Sequence, residues 1–230
     1  MSRRPVVAID GPAGAGKSTV TKRVADELGY LLVDTGALYR AVALAAQRAG
    51  ISWDDAEAMG KFAYVLVNER AVELGNQTVK LRGEDVSLAI REPSVSQGAS
   101  KVSAVPAVRD ALLDMQRHAG ASGGVVLEGR DIGTVVFPSA EAKFFLTASV
   151  DIRARRRFDE LVARGATPDL AEVQREVAER DLRDSTRPIA PLKQASDARI
   201  IDSSVLSIDQ VVARIVQRVR EVEAELGARE

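Results

Sequence analysis

The chain has 230 residues, a net charge of −1, 46% apolar, 28% charged and only 4% aromatic residues. That balance suits one globular core with a small insertion and excludes a global basic field for nucleic acid. With no cysteine and one histidine, His118, it also excludes disulfides, thiolate chemistry, cysteine-based zinc sites and a histidine metal cluster.

Val6 to Asp10 is a short apolar run that stops at a glycine, the pattern of a buried parallel strand. A glycine-rich loop, Gly11 to Gly16, follows. Lys17 to Leu28 places Val20, Val24, Ala25 and Leu28 at helical spacing, and Gly29 ends the helix. Leu31 to Val33 reads as a second buried strand, ending at Asp34-Thr35-Gly36. Ala37 to Ala49 reads as an apolar helix closed by Gly50. From about Phe62 to Ser87 the pattern changes. Ala71 to Leu74 and Thr78 to Leu81 alternate apolar and polar residues across Gly75-Asn76-Gln77, a hairpin signature with room for a further strand on either side. Val102 to Ala119 reads as a helix interrupted near its start by Pro106. Val125 to Leu127 is a third buried strand, ending at Glu128-Gly129-Arg130-Asp131, and Lys143 to Thr147 is a fourth. Asp151 to Ala163 and Leu170 to Leu182 are expected helices, Arg199 to Asp202 a fifth strand, and Ile208 to Leu226 a final helix before a frayed end from Gly227. Five buried strands alternating with helices predict an α/β fold on a parallel sheet, with the hairpin as a small antiparallel insertion. No apolar run approaches the ~18 residues that span a bilayer. Met1 to Pro5 leads straight into a strand without the apolar region of a signal peptide. A cytoplasmic enzyme is expected, a monomer without nucleic-acid or membrane partners.

Gly11, Gly16, Lys17 and Ser18 match the phosphate-loop pattern G-x-x-x-x-G-K-[ST], in its required place between a strand and a helix. Glycines let backbone N–H groups turn toward phosphate oxygens, and the next helix presents its positive end to the same anion. Gly11, Pro12, Ala13, Gly14, Ala15, Gly16, Lys17, Ser18 and Thr19 are therefore the expected ATP-binding residues, with Lys17 at the β- and γ-phosphates and the Ser18 hydroxyl on Mg²⁺. A GTPase switch would carry an Asn-Lys-x-Asp motif, and neither asparagine, Asn68 or Asn76, fits it. Glu128 stands where a motor ATPase places a metal carboxylate, but its Glu-Gly-Arg-Asp context points to an acceptor loop.

Parallel α/β sheets bind ligands at the carboxyl ends of their strands. Arg40, one turn into the helix after Asp34, and Arg130, after the third strand, suit a second phosphorylated ligand facing the ATP γ-phosphate. The window Asp151 to Arg187 holds nine arginines and nine acids. Most are expected to pair on solvated helix faces. Arg153, Arg156 and Arg157 share one face and suit a lid that closes on ATP phosphates, with Arg153 and Arg157 as the expected contacts.

Five segments in order over nearly the whole chain make a resemblance. They are the phosphate loop, Asp34 to Arg40, Ala99 to Arg109, Gly129-Arg130-Asp131-Ile132-Gly133-Thr134 and Asp184-Ser185-Thr186-Arg187-Pro188-Ile189-Ala190-Pro191-Leu192. Together they resemble the bacterial cytidylate (CMP) kinases, nucleoside monophosphate kinases of the P-loop group. The last two segments are far more specific than the phosphate loop. The resemblance implies Mg²⁺-dependent transfer of the ATP γ-phosphoryl to CMP or dCMP. It implies a kinase core over about 1–60, 99–150 and 185–230, an NMP-binding insert over about 61–98 and a lid over about 151–170. It also implies that Ser100, Arg109, Asp131 and Arg187 lie around the cytosine, and Arg180 and Asp184 around the sugar and phosphate. Thr35, Arg40 and Arg130 are implied near the acceptor phosphate, Thr35 standing where the family most often has serine. Lys17, Arg130 and Asp131 are the expected catalytic group, with Asp131 positioning rather than abstracting a proton. The rival readings are a P-loop kinase for another acceptor such as UMP or AMP, and a nucleotide-dependent switch.

Overall fold

The computed structural model describes residues 4–75 and 78–228. Met1 to Arg3, the Asn76–Gln77 tip of the expected hairpin and the last two residues lie outside the described residues. In chain order the elements are β1 (Val6–Asp10), α1 (Lys17–Leu28), β2 (Leu31–Asp34), α2 (Thr35–Arg48), α3 (Ala56–Asn68), β3 (Val72–Leu74), β4 (Val79–Leu81), β5 (Glu84–Asp85), α4 (Pro93–Val102), α5 (Pro106–Gly120), β6 (Val125–Gly129), β7 (Ala142–Thr147), α6 (Val150–Ala163), α7 (Leu170–Thr186), β8 (Arg199–Asp202) and α8 (Ile208–Gly227). A five-stranded sheet has the order β2-β6-β1-β7-β8, and β3-β4-β5 form a separate three-stranded antiparallel sheet. This is the expected α/β class. The chain divides into two compact units, Met1–Tyr30 with Gly123–Glu230, and Leu31–Ser122.

In the first unit β1 lies between β6 and β7, parallel to both, and β7 pairs parallel with β8. Val7, Ala8, Ile9, Leu127, Phe144 and Leu146 are buried, which is why these strands read as unbroken apolar runs. The register sets Asp10 opposite Gly129 and Phe145, so the polar ends of β1 and β6 emerge together. β8 departs from the buried strand expected there. It is the sheet edge, and Ile200 is 60% exposed. Helix α7 runs on past Leu182 to Thr186 because Asp184 continues its buried face where the apolar stripe has stopped. Helix α8 starts with a capping box, Ser207 and Gln210 each bonding the other's backbone N–H.

The second unit has its own core, drawn from α2, α3, α4, α5 and the antiparallel sheet and including Leu38, Val42, Met59, Leu66, Val95, Val102, Val108 and Leu112. β2 buries only Val33 well, and Leu31 is half exposed, so this strand is not the buried one its composition suggests. The helix expected over Val102–Ala119, interrupted near its start by Pro106, is α5 from Pro106 onward, and the separate helix α4 ends at Val102. Val105 is extended, as the residue before a proline prefers, and Pro106 opens α5 where a missing N–H costs nothing. Helix α3 has no counterpart in the periodicity reading. Its Gly60 weakens the helical signal, yet an added Cβ there would stand 2.7 Å from Ala107 Cβ of α5, so close packing requires it. The hairpin β3–β4 forms as expected, with β5 added after it.

Candidate phosphate-transfer site

The phosphate loop joins β1 to α1. Gly11 has φ 151° and passes so near β7 that a Cβ would stand 1.9 Å from the Leu146 carbonyl oxygen. No other residue fits there. Helix α1 begins at Gly16 with no side-chain cap, so its first N–H groups are left for an anion. Lys17 is buried, and its Nζ donates to the Gly11 and Pro12 carbonyls at 2.8 and 2.7 Å. Burial, reinforced by the positive charges of Arg130 and Arg180, pushes its pKa well below the ordinary lysine value. Ser18 and Thr19 stand exposed at the helix start.

The Ser18 hydroxyl donates to Glu128 Oε1 at 2.9 Å, and the Thr21 hydroxyl donates to the other oxygen at 2.7 Å. Glu128 therefore belongs to the phosphate-loop side. The sequence reading that moved it to the acceptor loop is corrected, because β6 brings residue 128 beside α1 across 110 positions of chain. With its hydroxyl hydrogen directed to Glu128, Ser18 Oγ keeps its lone pairs for another partner. That oxygen suits a hard cation such as Mg²⁺.

Asp10, at the end of β1, accepts from the Ile132 and Gly133 N–H groups, both at 2.8 Å. This anchors the π-helical turn Ile132–Val136 that follows Arg130 and Asp131. Burial raises the Asp10 pKa to about 6, against the pull of those two bonds. Arg130 Nε donates to Asp184 Oδ2 at 3.1 Å, and Arg180 Nε lies 4.0 Å from the same oxygen. Burial of Asp184 opposes its ionisation, but Arg130, Arg180 and Arg187 outweigh it and hold the carboxyl below its ordinary value. Arg187 is buried. It donates through Nε to the Ala190 carbonyl at 2.6 Å and through Nη2 to Asp131 Oδ1 at 3.4 Å. Ala190 sits in the left-handed region at φ 49°, a conformation costing an L-residue roughly 1–3 kcal/mol. The bond from Arg187 and the Leu192 N–H to Asp184 carbonyl bond, 2.7 Å, hold that turn in place. So the structure brings Lys17, Arg130, Asp131, Arg180, Asp184 and Arg187 together in one unit.

The remaining predicted acceptor residues lie in the second unit. Asp34 caps α2 by accepting from the Ala37 N–H at 3.1 Å and pairs with Arg40. Thr35 and Ser100 are buried. Arg109 is buried with its guanidinium 5.4 Å from the Tyr39 ring centre, and its Nη1 donates to the Ser103 carbonyl at 3.2 Å. Tyr39 and Ser103 lie within the motif segments but carry no expected role there. Each contact is visible only once helices pack.

On α6, Arg153 is buried against the loop's carbonyl side, while Arg157 pairs with Glu160 at 2.9 Å on the surface. The expected solvated pairs are present, as in Arg155–Asp159 and Arg164–Glu160. Among the described residues no cluster of three or more histidine, cysteine or carboxylate groups stands ready for a metal, and no helix is long and apolar enough to cross a membrane.

A strand–loop–helix phosphate cradle, a buried lysine and an adjoining arginine–carboxylate cluster on a parallel sheet define a P-loop kinase. The gluconokinase of Sinorhizobium meliloti 1021 shares the fold, with a TM-score of 0.51 at 14% identity over 100% of this chain and 99% of that one. The cytidylate kinase family model matches residues 7–221. The cytidylate kinase of Geobacter sulfurreducens is 53% identical over 95% of this chain and 94% of its own length. That of Pelotomaculum thermopropionicum is 52% identical over 95% and 97%. The chain belongs to the cytidylate kinase family.

Proposed function

We propose that this protein transfers the γ-phosphoryl group of ATP to CMP or dCMP, giving ADP and CDP or dCDP. One observation supports this above the others. Beside a loop suited to a triphosphate, the same unit holds a second anion-reading set, Arg130 and Arg187 with Asp131 and Asp184, close enough for Arg130 to depress the Lys17 pKa. A bare ATPase has no use for it.

In this reading Gly11 to Thr19 hold the ATP phosphates, with Lys17 turning from its loop carbonyls to the β- and γ-oxygens and Arg157 reaching from a lid over about 151–170. Ser18 would hold Mg²⁺, which when bound neutralises charge on the phosphates. Arg40, Arg130 and Thr35 receive the acceptor phosphate, Arg180 and Asp184 its neighbourhood and sugar, and Ser100, Arg109, Asp131 and Arg187 the base. Cytosine offers two acceptors and one amine donor. Arginine serves the acceptors, and Ser100 or Asp131 serves the amine. Uracil inverts that edge and leaves buried groups unpaired, at about 1–3 kcal/mol each. The acceptor phosphate is already nucleophilic near neutral pH, so Asp131 positions and need not abstract a proton. The core, the insert over about 61–98 and the lid serve one small-molecule reaction in pyrimidine nucleotide metabolism, carried out by a cytoplasmic monomer.

The test is ADP production from ATP, scanned over CMP, dCMP, UMP, AMP and GMP. CMP and dCMP are expected to lead. Equal rates without acceptor remove the kinase reading, and a preference for UMP or AMP replaces the acceptor.

A further inference from the structure

The phosphate loop is gripped at its carbonyl groups by side chains of α6 and of the segment after β8. Arg153, in the first turn of α6, is 3% exposed. Its Nε donates to the Ala148 carbonyl at 2.8 Å, and its Nη1 to the Ala13 carbonyl at 3.1 Å and Asp181 Oδ1 at 2.9 Å. Its Nη2 completes a two-pronged pair with the same carboxylate of α7. At Gly14 a Cβ would stand 3.1 Å from Arg153 Cβ, so loop and helix are in close contact. Ser203, just after β8, donates to the Ala15 carbonyl at 3.0 Å. Arg156 holds Ser203 through its carbonyl at 2.8 Å and its hydroxyl at 3.1 Å.

A trans peptide unit points its C=O and the next residue's N–H in opposite directions within one plane. Fixing the Ala13 carbonyl outward therefore aims the Gly14 N–H inward, and fixing the Ala15 carbonyl outward aims the Gly16 N–H inward. In a glycine-rich loop these planes otherwise rotate freely. We propose that Arg153, braced by Asp181, and Ser203 are positioning residues that set the Gly14 and Gly16 amides toward the donor phosphates without touching them. The inference rests on reading the loop as a nucleotide site, and it assigns Arg153 a different task from direct contact with ATP.

Binding of ADP and of ATP to the full chain, by calorimetry, separates the two. The wild type is compared with Arg153→Met, Asp181→Asn, their combination and Ser203→Ala. The loop cradle serves both nucleotides, so Arg153→Met is expected to weaken ADP and ATP equally, by about tenfold. Asp181→Asn weakens both in the same direction, and the double variant is no worse than Arg153→Met, because both changes remove one support. Ser203→Ala, a single lost hydroxyl that leaves the fold intact, weakens both by about threefold. The KM for CMP stays within about twofold in each. Loss of ATP but not ADP binding in Arg153→Met, with normal or tighter ATP binding in Asp181→Asn, would overturn the proposal in favour of a direct γ-phosphate contact. Unchanged ADP affinity in Arg153→Met and Ser203→Ala would overturn it outright. Failure of the wild type to phosphorylate CMP, with these ADP shifts present, would count against the acceptor assignment and leave the loop brace standing.

Discussion

Asp10 is a carboxylate with two peptide N–H groups in place of water. Its pKa, raised to about 6 from 3.8, means the folded chain binds the proton more tightly than the unfolded one. Its contribution to stability is thus fully present below pH 3.8 and lost as pH rises through about 6. Catalysis runs the other way. The ionised form accepts from both Ile132 and Gly133 and holds the turn after Asp131, whereas protonation spoils one acceptor. We expect kcat to fall as pH drops from 7 through about 6, while Tm shows no matching loss from this group. The acceptor phosphate also titrates near pH ~6, so the variant is decisive. Asp10→Asn removes the enzyme's share of the limb and lowers kcat at pH 7, with about 1.5–3 kcal/mol lost from the charged hydrogen bond. A pH–rate profile identical to wild type would exclude this role. The residue was legible as a polar strand end. Its role was not, because its partners lie 122 and 123 positions away. Arg130, Asp131, Asp184 and Arg187 stood out by motif, but only packing shows which carboxylate each arginine faces.

At the scale of elements, local pattern served best where an element's own residues decide it. Helices α1, α6 and α8 begin and end close to where glycine, capping and periodicity predict. It failed where a neighbour decides. Gly60 costs α3 roughly 1 kcal/mol of helix propensity, but Ala107 occupies the space a side chain would need. Gly98 in α4 is tighter still. A Cβ there would lie 2.6 Å from the ring of Trp53, whose Nε1 donates to the Ala43 carbonyl of α2 at 2.9 Å. Gly98→Ala must displace that ring and is expected to destabilise the chain by about 1–3 kcal/mol. Trp53 is the single tryptophan, so its fluorescence in a denaturant titration reports the change directly. A midpoint equal to wild type would show that the ring yields without cost.

For the whole molecule, ligand linkage is the sharpest test of the proposed reaction. A nucleotide that binds only the native state at a hundred times its Kd should add ~2.7 kcal/mol, a Tm rise of roughly 5–10 °C for a chain of this size. ATP with Mg²⁺ and CMP are each expected to produce it, and UMP a smaller shift at equal concentration, read by calorimetric melting. Equal shifts for CMP and UMP would remove base discrimination from the site. The sequence by itself determined the α/β class, the phosphate loop, the antiparallel hairpin and the family, because strand and helix periods and motif spacings are short-range properties of the chain. Tertiary structure alone decided that β2 and β8 are edge strands, that Glu128 belongs with Ser18, and that Asp10 anchors the turn after Asp131. The same is true of the Arg153 and Ser203 hold on the phosphate loop. Each of these depends on hydrogen bonds or burial between groups far apart in sequence, and no local pattern records them.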